Sequence, residues 1–348
     1  MFVSRITICI AAWNSMEFLP ALLSSIAKQS FKDLSVVVID NASQDGLEAF
    51  LRKEHPTVML LRNVRNLGRS AAYNQAIRYA VEHSPIEESA NRYILFVDPH
   101  VILEEKCLEQ LIKAADERPS AAAFCPVLLR AYSENAHDES LKETIQSERI
   151  ESCGFTLSGI RNVQMVNPGI MFDQTDMVAE EVFGSPPAIS LIRLSGLMSI
   201  GYTNMEVFDP LLSEGTEGVD LSWRLQLSGF GAWCIKEAKA YHHLGKFKKT
   251  ANGWWSKKSK DRSMSTNHRL QKSVGYWLII LKNESLFRLI LLTPRFFIKI
   301  VGGFLYTLFF DRALFSGTSL VLSSLPHVWR RRRHVQDMRC RSERQSCV

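Results

Sequence analysis

Asp98 and His100 stand two residues apart in Arg92-Tyr93-Ile94-Leu95-Phe96-Val97-Asp98-Pro99-His100, where an unbroken apolar run meets an acid, a proline and an imidazole. A carboxylate and an imidazole at that spacing on one loop suit a divalent cation such as Mn2+ or Mg2+, carried mainly by phosphate oxygens. A lone acid at a strand end serves equally as a cap for the following turn. Glu217 and Asp220 lie one helical turn apart in Glu214-Gly215-Thr216-Glu217-Gly218-Val219-Asp220-Leu221. If they converge on one pocket they offer a general base; otherwise they are acids well placed at a helix N-terminus.

Three further groups carry chemistry. Asp40 opens Asp40-Asn41-Ala42-Ser43-Gln44-Asp45-Gly46, where it either accepts hydrogen bonds from a nucleobase or ribose or closes the turn before a helix. The run Arg62-Asn63-Val64-Arg65-Asn66-Leu67-Gly68-Arg69 sets cations and a glycine before a helix start, a phosphate environment unless the arginines are simply solvated. His242, in Tyr241-His242-His243, ligates metal, touches phosphate or is structural.

The elements that must position these residues follow from periodicity. Apolar runs at Ile6 to Ala11, Ser35 to Asp40, Val58 to Leu61 and Tyr93 to Val97 read as buried strands. Between them, Leu19, Leu22, Leu23 and Ile26, the stretch through Phe50, and Ala71, Ile77 and Val81 recur at helical spacing, and Glu104 to Glu117 is a further helix. Such alternation predicts an α/β fold with βαβ units and a mostly parallel sheet flanked by helices, its ligand loops at the carboxyl ends of the strands. Residues 131–187 lose the pattern and read as an insertion or lid region that shapes a second substrate's pocket. Apolar pattern resumes at Ile189 to Ile200, then a helix at about Val219 to Ser228 and short strands at Ala232–Ile235 and Ala240–His243.

The chain has 348 residues and a net charge of +6. That charge is split: residues 1–234 hold 19 Lys+Arg against 30 Asp+Glu, a balance of −11, and residues 235–348 hold 23 against 6, a balance of +17. The seven cysteines form no CxxC pair, which argues for a reducing compartment and against a structural zinc site. No basic-then-apolar leader precedes Ile6, so the body is expected in the cytoplasm. Residues 1–245 read as the α/β domain and 246–272 as a basic linker studded with Trp254-Trp255. Residues 273–333 read as amphipathic membrane-associating helices, and 334–348 as a basic, disordered tail. Charges interrupt every window of the ~20 apolar residues that a spanning helix needs. Interfacial helices are therefore expected, with Trp277, Tyr306 and Trp329 at headgroup level and the arginines on anionic lipid rather than on nucleic acid. The competing readings are a helical subdomain packed on the core and a spanning hairpin within 296–329.

The ordered series Ile8-Cys9-Ile10-Ala11-Ala12-Trp13-Asn14, Val38-Ile39-Asp40-Asn41-Ala42-Ser43-Gln44-Asp45-Gly46, Asn66-Leu67-Gly68 with Asn74, Phe96-Val97-Asp98-Pro99-His100, Phe208-Asp209, Glu217-Gly218-Val219-Asp220-Leu221-Ser222-Trp223-Arg224-Leu225 and Tyr241-His242-His243 resembles the family 2 glycosyltransferases of GT-A fold. The rhamnosyltransferase-like branch of bacterial surface-polysaccharide synthesis looks nearest.

The resemblance implies an inverting transferase that uses a UDP- or dTDP-linked sugar. Its acceptor would be a lipid-linked glycan or polysaccharide at the cytoplasmic face of the inner (plasma) membrane, with the protein bound peripherally. It implies donor contacts from Ala11, Ala12, Asn14, Asp40, Asn41, Asn66, Gly68, Arg69, Asn74 and Asp98. It also implies a cation near Asp98, to which the residues' own chemistry adds His100 and His242 as ligands, and a base at Glu217 or Asp220. Two departures stand out. His100 occupies a place where relatives carry an acid, and Gly218 occupies the place of the acid most often assigned as base. Either a neighbouring acid substitutes, or the domain is a catalytically impaired scaffold or regulator.

Overall fold

The computed structural model describes residues 4–83, 86–135, 142–174, 179–202, 205–212, 215–246, 266–291 and 315–345. The chain begins β1 (Ile6–Ala12), α1 (Leu19–Ala27), β2 (Leu34–Asp40), α2 (Leu47–Glu54), β3 (Met59–Arg62), α3 (Arg69–Glu82) and β4 (Tyr93–Val97). It continues through β5 (Val101–Leu103), α4 (Cys107–Glu117), β6 (Ala121–Asn135), β7 (Lys142–Ser152), β8 (Phe155–Leu157), β9 (Val163–Met165), β10 (Ala179–Val182), β11 (Ile189–Arg193), α5 (Leu194–Ile200), α6 (Thr216–Leu227) and β12 (Gly231–Lys246). Two further helices follow, α7 (Thr266–Asn283) and α8 (Phe315–Gln345).

The main sheet runs β10-β12-β6-β11-β4-β1-β2-β3, with β5 on β12 and β7 on β6. Pairing is parallel within β3-β2-β1-β4 and between β12 and β6. Strand β11 lies antiparallel to both β4 and β6. The expected mostly parallel sheet is therefore a mixed one. The apolar stretch 189–200 is not a single element: it breaks at Arg193 into an antiparallel strand and a helix. Residues 131–187 extend the sheet through the β6–β7 pairing and add a separate β8–β9 ribbon.

Alternation along β1 explains the layers. Ile6, Ile8, Ile10 and Ala12 join α1, α2 and α4 in one core, and Cys9 turns to the other face, where α3, α5 and α6 pack. Leu19, Leu22, Leu23 and Ile26 of α1 and Leu108, Leu111 and Ile112 of α4 are the apolar stripes that cover the first face.

The described parts of the C-terminal third dock on this body. Val274, Leu278, Ile279 and Ile280 of α7 are buried against Val219 and Trp223 of α6, each contributing roughly 1.5–3 kcal/mol. The approach is close: a Cβ at Gly275 would stand 2.7 Å from Thr216 Oγ1. Val335 and Met338 of α8 join the core that α3 and α6 also line. In α7 and the described part of α8, within the 273–333 region expected to face lipid, the buried stripes meet protein, while Leu322 and Trp329 of α8 stay exposed. Trp277 packs in this cluster and Trp329 is half exposed. The expected disordered tail is helical to Gln345, continuous with that docked stripe. Among the described residues, no helix is long and apolar enough to cross a membrane. Most of the predicted linker (247–265), and residues 292–314 with Tyr306, lie outside the described residues.

Candidate active site

The loops that leave β1, β2 and β4 at their carboxyl ends meet at one edge. Ala12 pairs with Asp40 in the ladder and its carbonyl accepts the Asn41 N–H at 2.8 Å, so Ala11, Ala12 and Asp40 share one rim. Asn14 adopts φ of 48°, a left-handed turn that Asn tolerates. Its N–H donates to Ser43 Oγ at 2.9 Å, and its Oδ1 accepts the Gln44 N–H at 2.9 Å. Asp45 accepts the Met16 N–H at 2.8 Å, so the two loops are stitched together. Asp40 is buried. Its Oδ1 accepts the Ser43 N–H at 2.8 Å. Its Oδ2 has no hydrogen-bonding partner and lies 3.3 Å from Nε of Arg62, a half-exposed guanidinium shared with Glu48. Sequence reasoning gave Arg62 to phosphate; the structure sets it over Asp40.

Asn41 accepts from Asn63 Nδ2 at 2.9 Å and donates to the Gly68 carbonyl at 3.3 Å. Asn63 and Gln75 exchange two amide hydrogen bonds, a support that no sequence motif indicated. Gly68 opens α3 at φ 83°, ψ 167°, backbone that excludes a side chain even though space for a Cβ is open. Asn66 Oδ1 accepts the Gly68 N–H at 2.9 Å, which places Arg69 as the first residue of the helix.

Arg69 joins the two halves of the site. Its Nη2 donates to Asp98 Oδ2 at 2.9 Å and its Nη1 lies 3.6 Å from Glu217 Oε1. Asp98 Oδ1 takes the His100 N–H at 3.0 Å and lies 2.5 Å from His100 Nδ1. Burial pushes the Asp98 carboxyl upward, but the His100 hydrogen bonds and the Arg69 charge outweigh it and hold the acid well below the usual carboxylate range. Asp98 is thus ionised and already neutralised by protein. Glu217 is buried in the first turn of α6, in a small cavity with Tyr73, Phe96, Ser190 and Phe208.

Among the described residues no group of three His, Cys, Asp or Glu side chains is disposed to hold a metal ion. His242 Nδ1 lies 2.9 Å from Glu151 Oε2, which outweighs burial and raises its imidazole above the ordinary value. The protein thus offers a cation Asp98 and His100 as a pair, and a ligand must complete the shell. That partial set fits a cation carried by phosphate oxygens.

Asp220 does not join Glu217. It is fully buried on the other side of α6. Its Oδ1 is 2.9 Å from Lys282 Nζ and accepts from Asn283 Nδ2 at 2.8 Å, and its Oδ2 accepts from Arg224 Nε at 3.1 Å. Burial raises this carboxyl, but Lys282 and Arg224 outweigh it and lower it overall. A saturated, enclosed anion has no path to an acceptor hydroxyl, so the expectation of Asp220 as a base is corrected. Arg224 was legible as an i,i+4 partner; Lys282, in α7, was not. Asn74 is also engaged away from the Ala12–Asp40 rim: its Oδ1 accepts the Val207 and Phe208 N–H groups at 2.9 and 2.8 Å, and its Nδ2 donates to the Phe208 carbonyl at 2.8 Å.

The sequence profile described as Glycosyl transferase family 2 matches residues 7–194. Among solved structures, GalNAc-T7 with UDP, GalNAc and Mn2+ is similar at a TM-score of 0.55 and 14% identity, over 80% of this chain and 48% of that one. S. aureus TarS 1-349 in complex with UDP-GlcNAc is similar at a TM-score of 0.50 and 15% identity, over 81% of this chain and 68% of that one. The chain spans about half the length of GalNAc-T7. At these identities the likeness is one of fold, an α/β GT-A-like architecture with a mixed sheet. No curated protein matches.

Proposed function

This chain belongs to glycosyl transferase family 2, and we propose that it moves a sugar from a nucleotide-sugar donor to an acceptor hydroxyl with inversion at the anomeric carbon. The observation that carries the reading is the link Asp98–Arg69–Glu217, which sets a diphosphate-end acid and a buried acid on one guanidinium. Asp40 Oδ2, a buried acceptor without a hydrogen-bonding donor, takes an N–H of the nucleobase when Arg62 moves aside. Arg69 turns to the donor diphosphate and balances its growing charge as the sugar–oxygen bond breaks. Glu217 takes the proton of the attacking hydroxyl. A divalent cation, Mn2+ or Mg2+, would be held by Asp98 and His100 and would supply further charge neutralisation to the leaving diphosphate.

The finer parts of the reading rest on the motif series and the surface. The motif order supports a rhamnosyltransferase-like enzyme of cell-envelope glycan synthesis using a UDP- or dTDP-sugar. Leu286, Phe287, Ile290 and Leu291 are mostly exposed on the helical residues 286–291. They support peripheral attachment to the cytoplasmic face of the inner membrane, beside a lipid-linked acceptor. Liposome flotation of the chain and of Phe287→Ser/Ile290→Ser tests this attachment, and equal flotation of both removes that support.

Gly218 favours a second reading. It leaves the commonly assigned base position empty while Asp220 is neutralised, as in a scaffold that has lost catalysis. Incubation with Mn2+, UDP- and dTDP-sugars and a membrane extract separates the two. Nucleotide release that needs Glu217 supports the transferase, and no release from any donor overturns it.

A further inference from the structure

A cavity of about 440 Å3 lies between α3, the loop after α5, and α8. Its wall on α8 is His327, Arg330, Arg331 and His334, spaced i, i+3, i+4 and i+7 so that one helical face presents all four. Arg78 of α3 faces them, with Tyr202 and Glu206 between. None of these residues belongs to the Asp98–Glu217 site.

The charges do not balance from within. Glu206 is the single carboxylate in the lining, and it is paired with Arg331 Nη2; behind the wall Asp209, already paired with Lys282, lies 3.8 Å from Arg331 Nε and 3.2 Å from His327 Nε2. Arg331 is about nine-tenths buried, yet its Nη1 has no hydrogen-bond acceptor among the described residues. The Tyr202 hydroxyl is likewise buried without a partner, while Arg331 sits over its ring at 4.2 Å. A buried guanidinium N–H or hydroxyl left without an acceptor is costly, so such groups normally mark an occupant that supplies one. Arg78 and Arg330 are exposed and make no ion pair among the described residues. Even with Asp209 behind the wall, shared with Lys282, three guanidinium groups face one lining carboxylate across a bounded space, which calls for a compact anion with several acceptor oxygens. Phosphate meets that need with the fork geometry that arginine favours. A cavity of this size admits one or two phosphate groups and part of what they are attached to.

We propose that this cavity is a binding site for a phosphate- or diphosphate-bearing group, held by Arg78, Arg330 and Arg331 with the Tyr202 hydroxyl as a further donor. The site is independent of the transferase reading, since its test requires no sugar transfer. The phosphate could belong to a soluble molecule or to a lipid headgroup at the membrane surface.

The test uses the full chain, titrated calorimetrically with inorganic phosphate and pyrophosphate in the presence of saturating UDP. It adds flotation with phosphatidylcholine vesicles that contain or lack phosphatidic acid. The variants are Arg78→Ala/Arg330→Ala and Arg330→Glu, both at exposed positions, with unfolding midpoints measured alongside. Binding of pyrophosphate that weakens at least tenfold in both variants at unchanged midpoint supports a soluble phosphate ligand. Recruitment to phosphatidic acid vesicles alone, lost in both variants, supports a headgroup. Binding that the variants leave unaltered, or no binding to either probe, overturns the proposal.

Discussion

Lys282 Nζ lies 2.9 Å from Asp220 Oδ1, and both side chains are buried. The same ammonium is 2.8 Å from Asp209 Oδ2. One lysine from the cationic third of the chain thereby neutralises two acids of the anionic part. The opposed charges that read as an attraction to an outside polyanion are in part an internal seam. Arg331 reaches Glu206 and Arg161 reaches Glu284 along the same junction.

Removing Lys282 should therefore unfold rather than merely detach. Lys282→Ala leaves two buried carboxylates short of a cation, a loss expected at about 3–5 kcal/mol. Chemical denaturation gives the value. A change within 0.5 kcal/mol would show that α7 is not seated on α6 as described.

Glu217 and Asp220 should separate by phenotype. Glu217→Gln is expected to lower kcat by about 100- to 10,000-fold with the unfolding midpoint nearly kept, as for loss of a general base. Asp220→Asn is expected to lower the midpoint while kcat of the folded fraction stays within a few-fold. Single-donor kinetics beside thermal melts make the comparison.

Gly218 can accept the missing acid. The nearest atoms a Cβ there would meet are those of Pro187, at 3.8 Å or beyond, which is ordinary contact. An Asp in the first helical turn is also favourable to the helix. Gly218→Asp is expected to fold and to raise kcat. An unchanged rate across pH would leave the proton with Glu217 alone.

Acid should weaken the seam. Burial raises the Asp209 carboxyl, but Lys282 and Arg331 outweigh it and hold it well below the usual range. A depressed folded-state pKa contributes stability above the unfolded value of about 3.9 and loses it as pH falls further. Asp209→Asn is expected to be less stable at pH 7 yet to lose less on acidification from pH 5 to pH 3. Equal slopes for the two proteins would assign the acid limb elsewhere.

Asp40→Ala is expected to forfeit about 1.5–3 kcal/mol of donor binding, the worth of a hydrogen bond to a charged group. Calorimetric titration of the donor nucleotide should show roughly a 10- to 150-fold rise in Kd. A Kd unchanged within twofold would make the carboxylate only the turn cap that Ser43 already reports.

The candidate site was legible where it is built from neighbours in sequence. Strands ending in Ala12, Asp40 and Val97 deliver their loops to one edge because parallel strands point the same way. Gly68 and Arg69 belong together because a left-handed glycine and a helix start are consecutive residues. The reversal of β11 between β4 and β6 was hidden, since an apolar run carries no direction.

By itself the amino-acid sequence determined the alternating layers, the loop edge and the family series, because periodicity and turn chemistry act over a few residues. Tertiary structure decided which acid of the Glu217–Asp220 pair keeps company with Arg69 and which is enclosed. Three residues along a helix turn a side chain to a different flank, and what covers each flank comes from Arg69 on one side and Lys282, 62 residues later, on the other. It also decided that α7 and the described stripe of α8 bury against protein. An amphipathic face records only that it needs an apolar partner, and lipid and a neighbouring helix satisfy that need alike.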